Sequence, residues 1–168
     1  MSYFLSFGTP VTIIRLFNTY GPRQSARAVI PTIISQILSD EIDKVKLGSL
    51  KPVRDYTFVK DTAGAMIKIA IAKNAIGEVI NVGIGRGYSI KEIYNMVSRL
   101  TGIKKKVATD EKRMRPLKSE VWKLICDNKK IKKLMGWKPE TSFEDGLKLT
   151  IDYIQDNLDK YKPDIYNI

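Results

Sequence analysis

Residues 11–17, VTIIRLF, constrain the fold more than any other stretch of this chain. Apolar and β-branched residues occupy both faces of this extended segment, which is the pattern of a parallel strand that is covered on both sides. We therefore predict a buried parallel strand that ends before Asn18, where the sequence NTYGP interrupts the pattern. Strand and helix patterns alternate along the rest of the chain, so the sequence predicts an α/β fold.

Helix signals follow this strand at several places. An amphipathic helix is predicted around Pro31, because isoleucines recur there at helical spacing. Ser89 and Glu92 have the spacing of a capping box, and Gly102 is the predicted end of that helix. The other predicted elements are strands at 45–47, 53–59 and 78–82, and helices opened by Asp61, Asp127 (closed by Gly136) and Ser142.

Glycines at 83, 85 and 87 lie between a predicted strand and a predicted helix, which is the setting of a dinucleotide-binding turn. That turn requires the spacing G-x-G-x-x-G and an acidic residue about 20 residues further on. Here the spacing is G-x-G-x-G, and lysines occupy 104–106, with Asp110 the first acid after them. We interpret the loop as a connection from strand to helix and not as a phosphate site.

Composition excludes several kinds of chemistry. The chain has no histidine and one cysteine, Cys126, which excludes His-based acid/base catalysis, an internal disulfide and the usual zinc sites. We therefore predict no metal ligand, and any chemistry would have to use carboxylates, lysine, tyrosine or a bound cofactor. The first ten residues lack the basic region and apolar core of a signal peptide, and lysines interrupt the apolar runs, which predicts a cytoplasmic chain without a membrane span.

A net charge of +11 calls for an explanation. Thirteen Lys/Arg and four Asp/Glu lie between residues 102 and 138. A nucleic-acid partner is one alternative, but the excess is mostly lysine, no aromatic residues interleave with 104–106, and no nucleic-acid-binding motif is present. We favour a solvated basic surface, with a field that attracts a phosphate-bearing ligand as the second interpretation.

Four motifs point to a family. They are RLFNTYGPR at 15–23, PVRDYTFVKD at 52–61, INVGIGRGYS at 80–89, and RMRPLKSEV at 113–121 with LMGWKP at 134–139. In this order and spacing the chain resembles the extended short-chain dehydrogenases/reductases that act on nucleotide sugars. Residues 15–34 are most similar to NAD-dependent 4,6-dehydratases of UDP-N-acetylglucosamine and their epimerase relatives, although Leu16 stands where many relatives carry proline.

The resemblance implies the C-terminal part of an extended Rossmann-type enzyme, with the N-terminal dinucleotide-binding half absent. Residues 1–27 would be a remnant of the dinucleotide-binding sheet, and residues 28–168 the nucleotide-sugar-binding region, with 78–88 returning to the sheet. The family's catalytic Tyr-x-x-x-Lys pair is also missing. Tyr56 and Lys60 have that spacing, but they lie in a predicted strand, where residues four apart are about 13 Å apart.

The resemblance assigns the phosphate-binding residues of the substrate site. Arg54 and Arg115 match the arginines that hold the substrate pyrophosphate, a task suited to a planar guanidinium. Asn18 matches the asparagine that binds the substrate phosphate or sugar. Simpler roles remain open: Arg54 could pair with Asp55 or Asp61, and Asn18 could cap a turn.

Further positions complete the predicted site. Leu16 and Phe17 would lie near the nicotinamide of the cofactor, and Val29 and Ile30 match the segment that passes the substrate base. Glu120 could accept a hydrogen bond from a ribose hydroxyl or orient the second arginine, or it could be solvated.

The resemblance implies that NAD serves the complete enzyme, which transfers hydride from the sugar to NAD and back. We expect this chain to be the UDP-sugar-binding portion of a 4,6-dehydratase or epimerase, inactive alone and without retained NAD. A separate N-terminal Rossmann polypeptide could complete it, and the exposed apolar surface could form an oligomer unlike the family's dimer. Alternatives are an inactive remnant or excised domain, and a basic nucleic-acid-binding protein.

Overall fold

The computed structural model describes residues 2–114 and 116–163, so Arg115 lies outside the described residues. Helices and strands alternate irregularly along the chain. They are α1 (Ser2–Phe7), β1 (Ile13–Leu16), β2 (Asn18–Tyr20), α2 (Val29–Leu38), β3 (Lys44–Leu47), β4 (Val53–Phe58), α3 (Val59–Ile71), β5 (Val79–Val82), β6 (Gly87–Ser89), α4 (Ile90–Thr101), β7 (Lys106–Thr109), β8 (Lys123–Leu124), α5 (Lys129–Met135) and α6 (Phe143–Gln155). Short 3₁₀ turns lie at Lys73–Ala75, Glu111–Arg113, Leu117–Ser119 and Leu158–Lys160.

The strands form three small sheets, and β4 is the strand with the most neighbours. It pairs parallel with β2 and β8 and antiparallel with β6. The other two sheets are the parallel pairs β1–β5 and β3–β7. The predicted α/β class with parallel strands is therefore confirmed, and the strand β6, which was not predicted, separates the glycine loop from α4.

The predicted strand at 11–17 corresponds to β1, and a second strand that was not predicted, β2, follows it with a different partner. β1 pairs with β5, the Phe17 N–H still donates to the Val82 carbonyl at 3.0 Å, and β2 then pairs with β4. Asn18 therefore follows one strand, as predicted, and also begins the next. The expected burial is also wrong for Ile13 and Leu16, which are 37% and 45% exposed, because β5 is the one strand that pairs with β1 among the described residues.

Two groups of apolar side chains form the core. The larger one packs α2, α4 and α6 against β4, and it includes Ile33, Ile37, Ile93, Val97, Leu147 and Ile154, all fully buried. In this core Gly146 of α6 lies so close to the Tyr20 hydroxyl that a Cβ would overlap it. The smaller group packs α3 and α5 against β5, around Ile80, Ile131 and Trp137. Each large side chain buried in this way contributes about 1.5–3 kcal/mol of transfer free energy.

Most predicted helix ends are confirmed. The Ser89 hydroxyl accepts from the Glu92 N–H at 3.2 Å, and the Glu92 carboxylate accepts from the Ser89 N–H at 2.7 Å. Gly102 and Gly136 end α4 and α5 with φ of 71° and 59°, a left-handed conformation that suits glycine. The Ser142 hydroxyl caps α6 by accepting from the Asp145 N–H.

One predicted cap is wrong, and a second is shifted by one residue. α3 begins at Val59, and the Asp61 carboxylate in its first turn instead accepts from the N–H groups of Glu140 and Thr141, at 3.1 Å each. Asp61 therefore holds the segment before α6, a tertiary role that a local pattern does not reveal. α5 begins at Lys129 with Asn128 as its flanking residue, one position later than predicted, but Asp127 Oδ1 accepts from the Lys129 N–H at 3.0 Å.

Candidate functional site

One open cleft of about 580 Å³ brings together five of the predicted substrate-binding residues. Its walls come from the segment that opens α2, the end of β3, the strands β2 and β4, and the irregular chain between β7 and β8. The predicted residues that line it are Asn18, Val29, Ile30, Arg54 and Glu120. Arg115 is the predicted residue outside the described part of the chain.

The pairing of β2 with β4 explains how distant residues meet in this cleft. The parallel register places Asn18 opposite Tyr56, two residues along the strand from Arg54. Asn18 Nδ2 donates to the Asp55 carbonyl at 3.1 Å, which fixes the side chain at this junction. Because side chains alternate along a strand, Arg54 and Tyr56 both line the cleft and Asp55 does not.

Arg54 is already engaged by two partners. Its Nη2 donates to Glu120 Oε1 at 3.1 Å, and its Nη1 donates to the carbonyl of Val53 at 3.0 Å. The Arg54 and Glu120 side chains are 14% and 9% exposed, so this is a largely buried ion pair. The alternatives that Arg54 pairs with Asp55 or Asp61, and that Glu120 is solvated, are therefore wrong. Because Arg54 and Glu120 are 66 positions apart, no local sequence pattern predicts this ion pair.

Asp55 fixes the chain behind the cleft, and sequence reasoning missed this role. The residue is fully buried, its Oδ1 accepts from the Ile84 N–H at 2.9 Å, and its Oδ2 accepts from the N–H groups of Gly85 and Cys126 at 2.8 and 3.2 Å. The glycine loop is thus fastened to β4 by a carboxylate. Burial, with a smaller contribution from Asp55, raises the pKa of the Cys126 thiol to about 12.

Tyr56 and Lys60 do not form an acid/base pair of the family's kind. Tyr56 lies in β4, and Lys60 is an exposed residue in the first turn of α3. Burial raises the pKa of Tyr56 to about 12, which the nearby Arg54 only partly offsets. The prediction that this sequence match is not a helical Tyr-x-x-x-Lys pair is confirmed, because Tyr56 lies in a strand, but the expectation that Lys60 lies in the same strand is wrong, since α3 begins at Val59.

Three more cations line the cleft: Arg27, Lys112 and Arg113. Arg113 Nε donates to Asp110 Oδ2 at 3.0 Å, within a pair that is 15% and 20% exposed. Sequence reasoning counted Lys112 and Arg113 in the general basic surface and did not single out Arg27. Charge counting could not separate cations at a cleft from those elsewhere on the surface.

A second, smaller cleft of about 180 Å³ contains the two residues expected near the nicotinamide. Leu16 and Phe17 line it with Leu124 of β8, and Asn18 lines both clefts. The two clefts therefore adjoin where the chain passes from β1 to β2. The volume is below that of typical small-ligand pockets, about 300–1,000 Å³.

Two kinds of feature are absent from residues 2–114 and 116–163. No cluster of three or more His, Cys, Asp or Glu residues is placed to hold a metal ion there. None of the helices in the same residues combines the length and apolar character that crossing a bilayer requires.

Comparison with known proteins gives a consistent picture. Residues 1–150 match the family model described as GDP-mannose 4,6 dehydratase. A UDP-glucuronate 4-epimerase of Thermodesulfobacterium geofontis is 32% identical over 162 residues, which cover 96% of this chain and 48% of that protein. The crystal structure of UDP-glucose 4-epimerase from Thermotoga maritima with UDP-glucose has a TM-score of 0.82 at 31% identity, covering 94% of this chain and 50% of that one.

A third relative carries the cofactor. The crystal structure of dTDP-glucose 4,6-dehydratase from Bacillus anthracis in complex with NAD has a TM-score of 0.83 at 27% identity, covering 96% of this chain and 50% of that one. The chain thus spans about half the length of these three relatives.

Proposed function

Because the chain belongs to the GDP-mannose 4,6 dehydratase family of NAD-dependent nucleotide-sugar epimerases and dehydratases, we propose that its larger cleft binds the nucleotide of a UDP-sugar. The observation that carries the proposal is the convergence of Asn18, Arg54 and Glu120 with the start of α2 in one cleft. In this arrangement the guanidinium of Arg54 donates to the diphosphate. Val29 and Ile30 lie beside the base of the nucleotide, and the Glu120 carboxylate accepts a hydrogen bond from a ribose hydroxyl.

The same proposal assigns parts of the chain. Residues 1–27 belong to the dinucleotide-binding sheet, residues 28–168 form the nucleotide-sugar-binding region, and residues 78–88 return to the sheet. The pairing of β1 with β5 supports the return of residues 78–88 to the sheet, whereas β2, although within 1–27, pairs with β4 of the nucleotide-sugar-binding region. Arg115 is proposed as the second pyrophosphate arginine on the resemblance alone.

The described residues do not fit a complete NAD molecule. The glycine loop lacks the dinucleotide fingerprint, and the cleft beside Leu16 and Phe17 has room for only a fragment of a dinucleotide. We therefore assign this chain substrate binding and no hydride transfer. In a complete enzyme Leu16 and Phe17 would face the nicotinamide. The isolated chain is proposed to be inactive in dehydratase and epimerase assays.

A Rossmann-type polypeptide equivalent to the other half of these relatives is the proposed partner. Apolar residues that would meet it are exposed on three elements: Phe7 of α1 is 77% exposed, Leu16 of β1 45% and Ile71 of α3 78%. Exposed apolar surface of this kind favours association. Without that polypeptide the same residues would support an oligomer between copies of this chain, or would mark an inactive remnant.

Calorimetric titration of the purified chain with UDP, UDP-glucose and NAD tests the proposal. We expect weak binding of UDP and UDP-glucose, no binding of NAD, and a loss of UDP affinity on the order of tenfold in Arg54→Gln, because a charge-assisted hydrogen bond contributes about 1.5–3 kcal/mol. Arg99→Gln is the matched control, since Arg99 lies on α4 in an exposed ion pair with Glu144 and outside the cleft.

Three results would overturn it. They are an absence of UDP binding, equal UDP affinity in the two variants, and displacement of UDP by a short oligonucleotide at lower concentration, which would favour the nucleic-acid alternative. Unfolding curves of both variants confirm that each is folded before affinities are compared.

A further inference from the structure

Ion pairing divides the cations of the larger cleft into two kinds. Arg54 is paired with Glu120, and Arg113 with Asp110. Arg27 and Lys112 line the same cleft and form no ion pair with any residue in the described ranges. The two paired arginines are largely buried, whereas Arg27 and Lys112 are exposed. Among the described residues, the positive charge that the fold leaves uncompensated in this cleft is therefore concentrated on two side chains.

Both side chains project from backbone that is held in place. Arg27 precedes α2, and the carbonyls of Ala26 and Ala28 next to it both accept from the hydroxyl of Thr32. Lys112 lies in the turn Glu111–Arg113, where its N–H donates to Asp110 Oδ1 at 3.1 Å. That turn also packs closely against Gly48, since a Cβ there would overlap the Arg113 carbonyl. The charged ends are thus presented from two separate, anchored segments.

An incoming anion meets these two kinds of cation differently. An anion that binds Arg54 must compete with the Glu120 carboxylate for the guanidinium, and an anion that binds Arg113 must compete with the Asp110 carboxylate. Arg27 and Lys112 offer charge without such an exchange, and their exposure lets them attract an anion from solution before it enters the cleft.

We infer that Arg27 and Lys112 are further substrate-binding residues that capture the diphosphate of the nucleotide sugar. The inference rests on the proposed function for the identity of the ligand, but the two side chains can be tested with the diphosphate alone. Arg54 then supplies oriented hydrogen bonds to an anion that these two residues have already drawn in.

The test uses three probes on the whole chain: UDP, uridine, which lacks the phosphates, and inorganic pyrophosphate, which lacks the nucleoside. The double variant Arg27→Gln/Lys112→Gln is compared with Arg86→Gln/Lys133→Gln, which removes the same two kinds of charge from exposed positions outside the cleft. We expect the first variant to lose at least tenfold in affinity for UDP and pyrophosphate, with a weaker dependence on salt, and to bind uridine like the parent.

The outcomes separate this inference from the proposed function. If the parent binds UDP and both double variants bind it equally, the inference is overturned and the proposed function stands. If the parent binds pyrophosphate through Arg27 and Lys112 but does not bind UDP, the inference stands and the proposed function is overturned. A parallel loss of uridine binding would show that the substitutions disturb the cleft itself, which also contradicts the inference.

Discussion

Replacing Asp55 with asparagine should destabilise the chain more than the same exchange of acid for amide at a surface position. Asp55 is fully buried, and its two carboxylate oxygens accept three backbone N–H groups at 2.8–3.2 Å. An amide has one acceptor oxygen, so its NH₂ group must face either one or two backbone N–H donors. The least costly orientation keeps the oxygen toward Gly85 and Cys126 and leaves the Ile84 N–H opposite another donor.

The expected cost follows from that geometry. One buried N–H left without an acceptor costs about 1–3 kcal/mol, and the two remaining bonds lose the strengthening that a charged acceptor gives. We therefore expect Asp55→Asn to lower the free energy of unfolding by about 3 kcal/mol. For a chain of this length each kcal/mol moves the melting temperature by about 2–4 °C, so the shift should be about 6–12 °C.

Thermal and urea unfolding, followed by circular dichroism, measure this cost. Asp152→Asn is the matched control, because Asp152 is exposed on α6 and the exchange removes the same charge. The control should stay within about 0.5 kcal/mol of the parent. Equal unfolding curves for the two variants would refute the role assigned to the buried carboxylate.

Three other expectations concern single positions. Gly146→Ala should lower the free energy of unfolding by about 1–3 kcal/mol, because the added Cβ would overlap a buried tyrosine hydroxyl. Gly64→Ala in α3, where a Cβ meets nothing within 4 Å, should stabilise the chain slightly. Lys105→Met should lower the free energy of unfolding, measured in urea, by about 1–2 kcal/mol, because Lys105 Nζ donates to two carbonyls at the end of α2. Lys104→Met, at an exposed position, should leave that free energy unchanged. Cys126 should resist a thiol-specific reagent at pH 8 until the chain unfolds, and rapid modification of the folded chain would contradict this. The free energy of unfolding should also fall as pH rises from about 8.5 toward the folded-state pKa of about 12, because the thiol ionises first in the unfolded chain.

Local sequence patterns correctly predicted the helix ends that depend on interactions between residues close in sequence. The capping box at Ser89 and the glycine ends of α4 and α5 were found because each depends on residues within a few positions. The division of residues 13–20 between two sheets was not found, since a strand pattern does not say which partner each half will pair with. Asp61 was misassigned for the same reason, because the two N–H groups that donate to its carboxylate lie about 80 positions away in the sequence.

The candidate site was predicted in part by resemblance, which named residues from separate motifs that the fold places along one cleft. Resemblance did not predict the pairing of Arg54 with Glu120, because their distance depends on how the segment after β7 returns to β4. Nor could it identify Arg27 and Lys112. The chain has 29 Lys and Arg residues, and which of them lack an acidic neighbour depends on the three-dimensional arrangement.

The alternation along β4 separates two tasks on one short strand. Arg54 and Tyr56 line the cleft, while Asp55 between them fastens the glycine loop on the opposite side. Ligand preference can therefore be altered at 54 and 56 while the fastening at 55 stays intact. A library randomised at those two positions would sample new ligands on a backbone that remains fixed from behind, and the variants most worth screening are those that retain the aspartate.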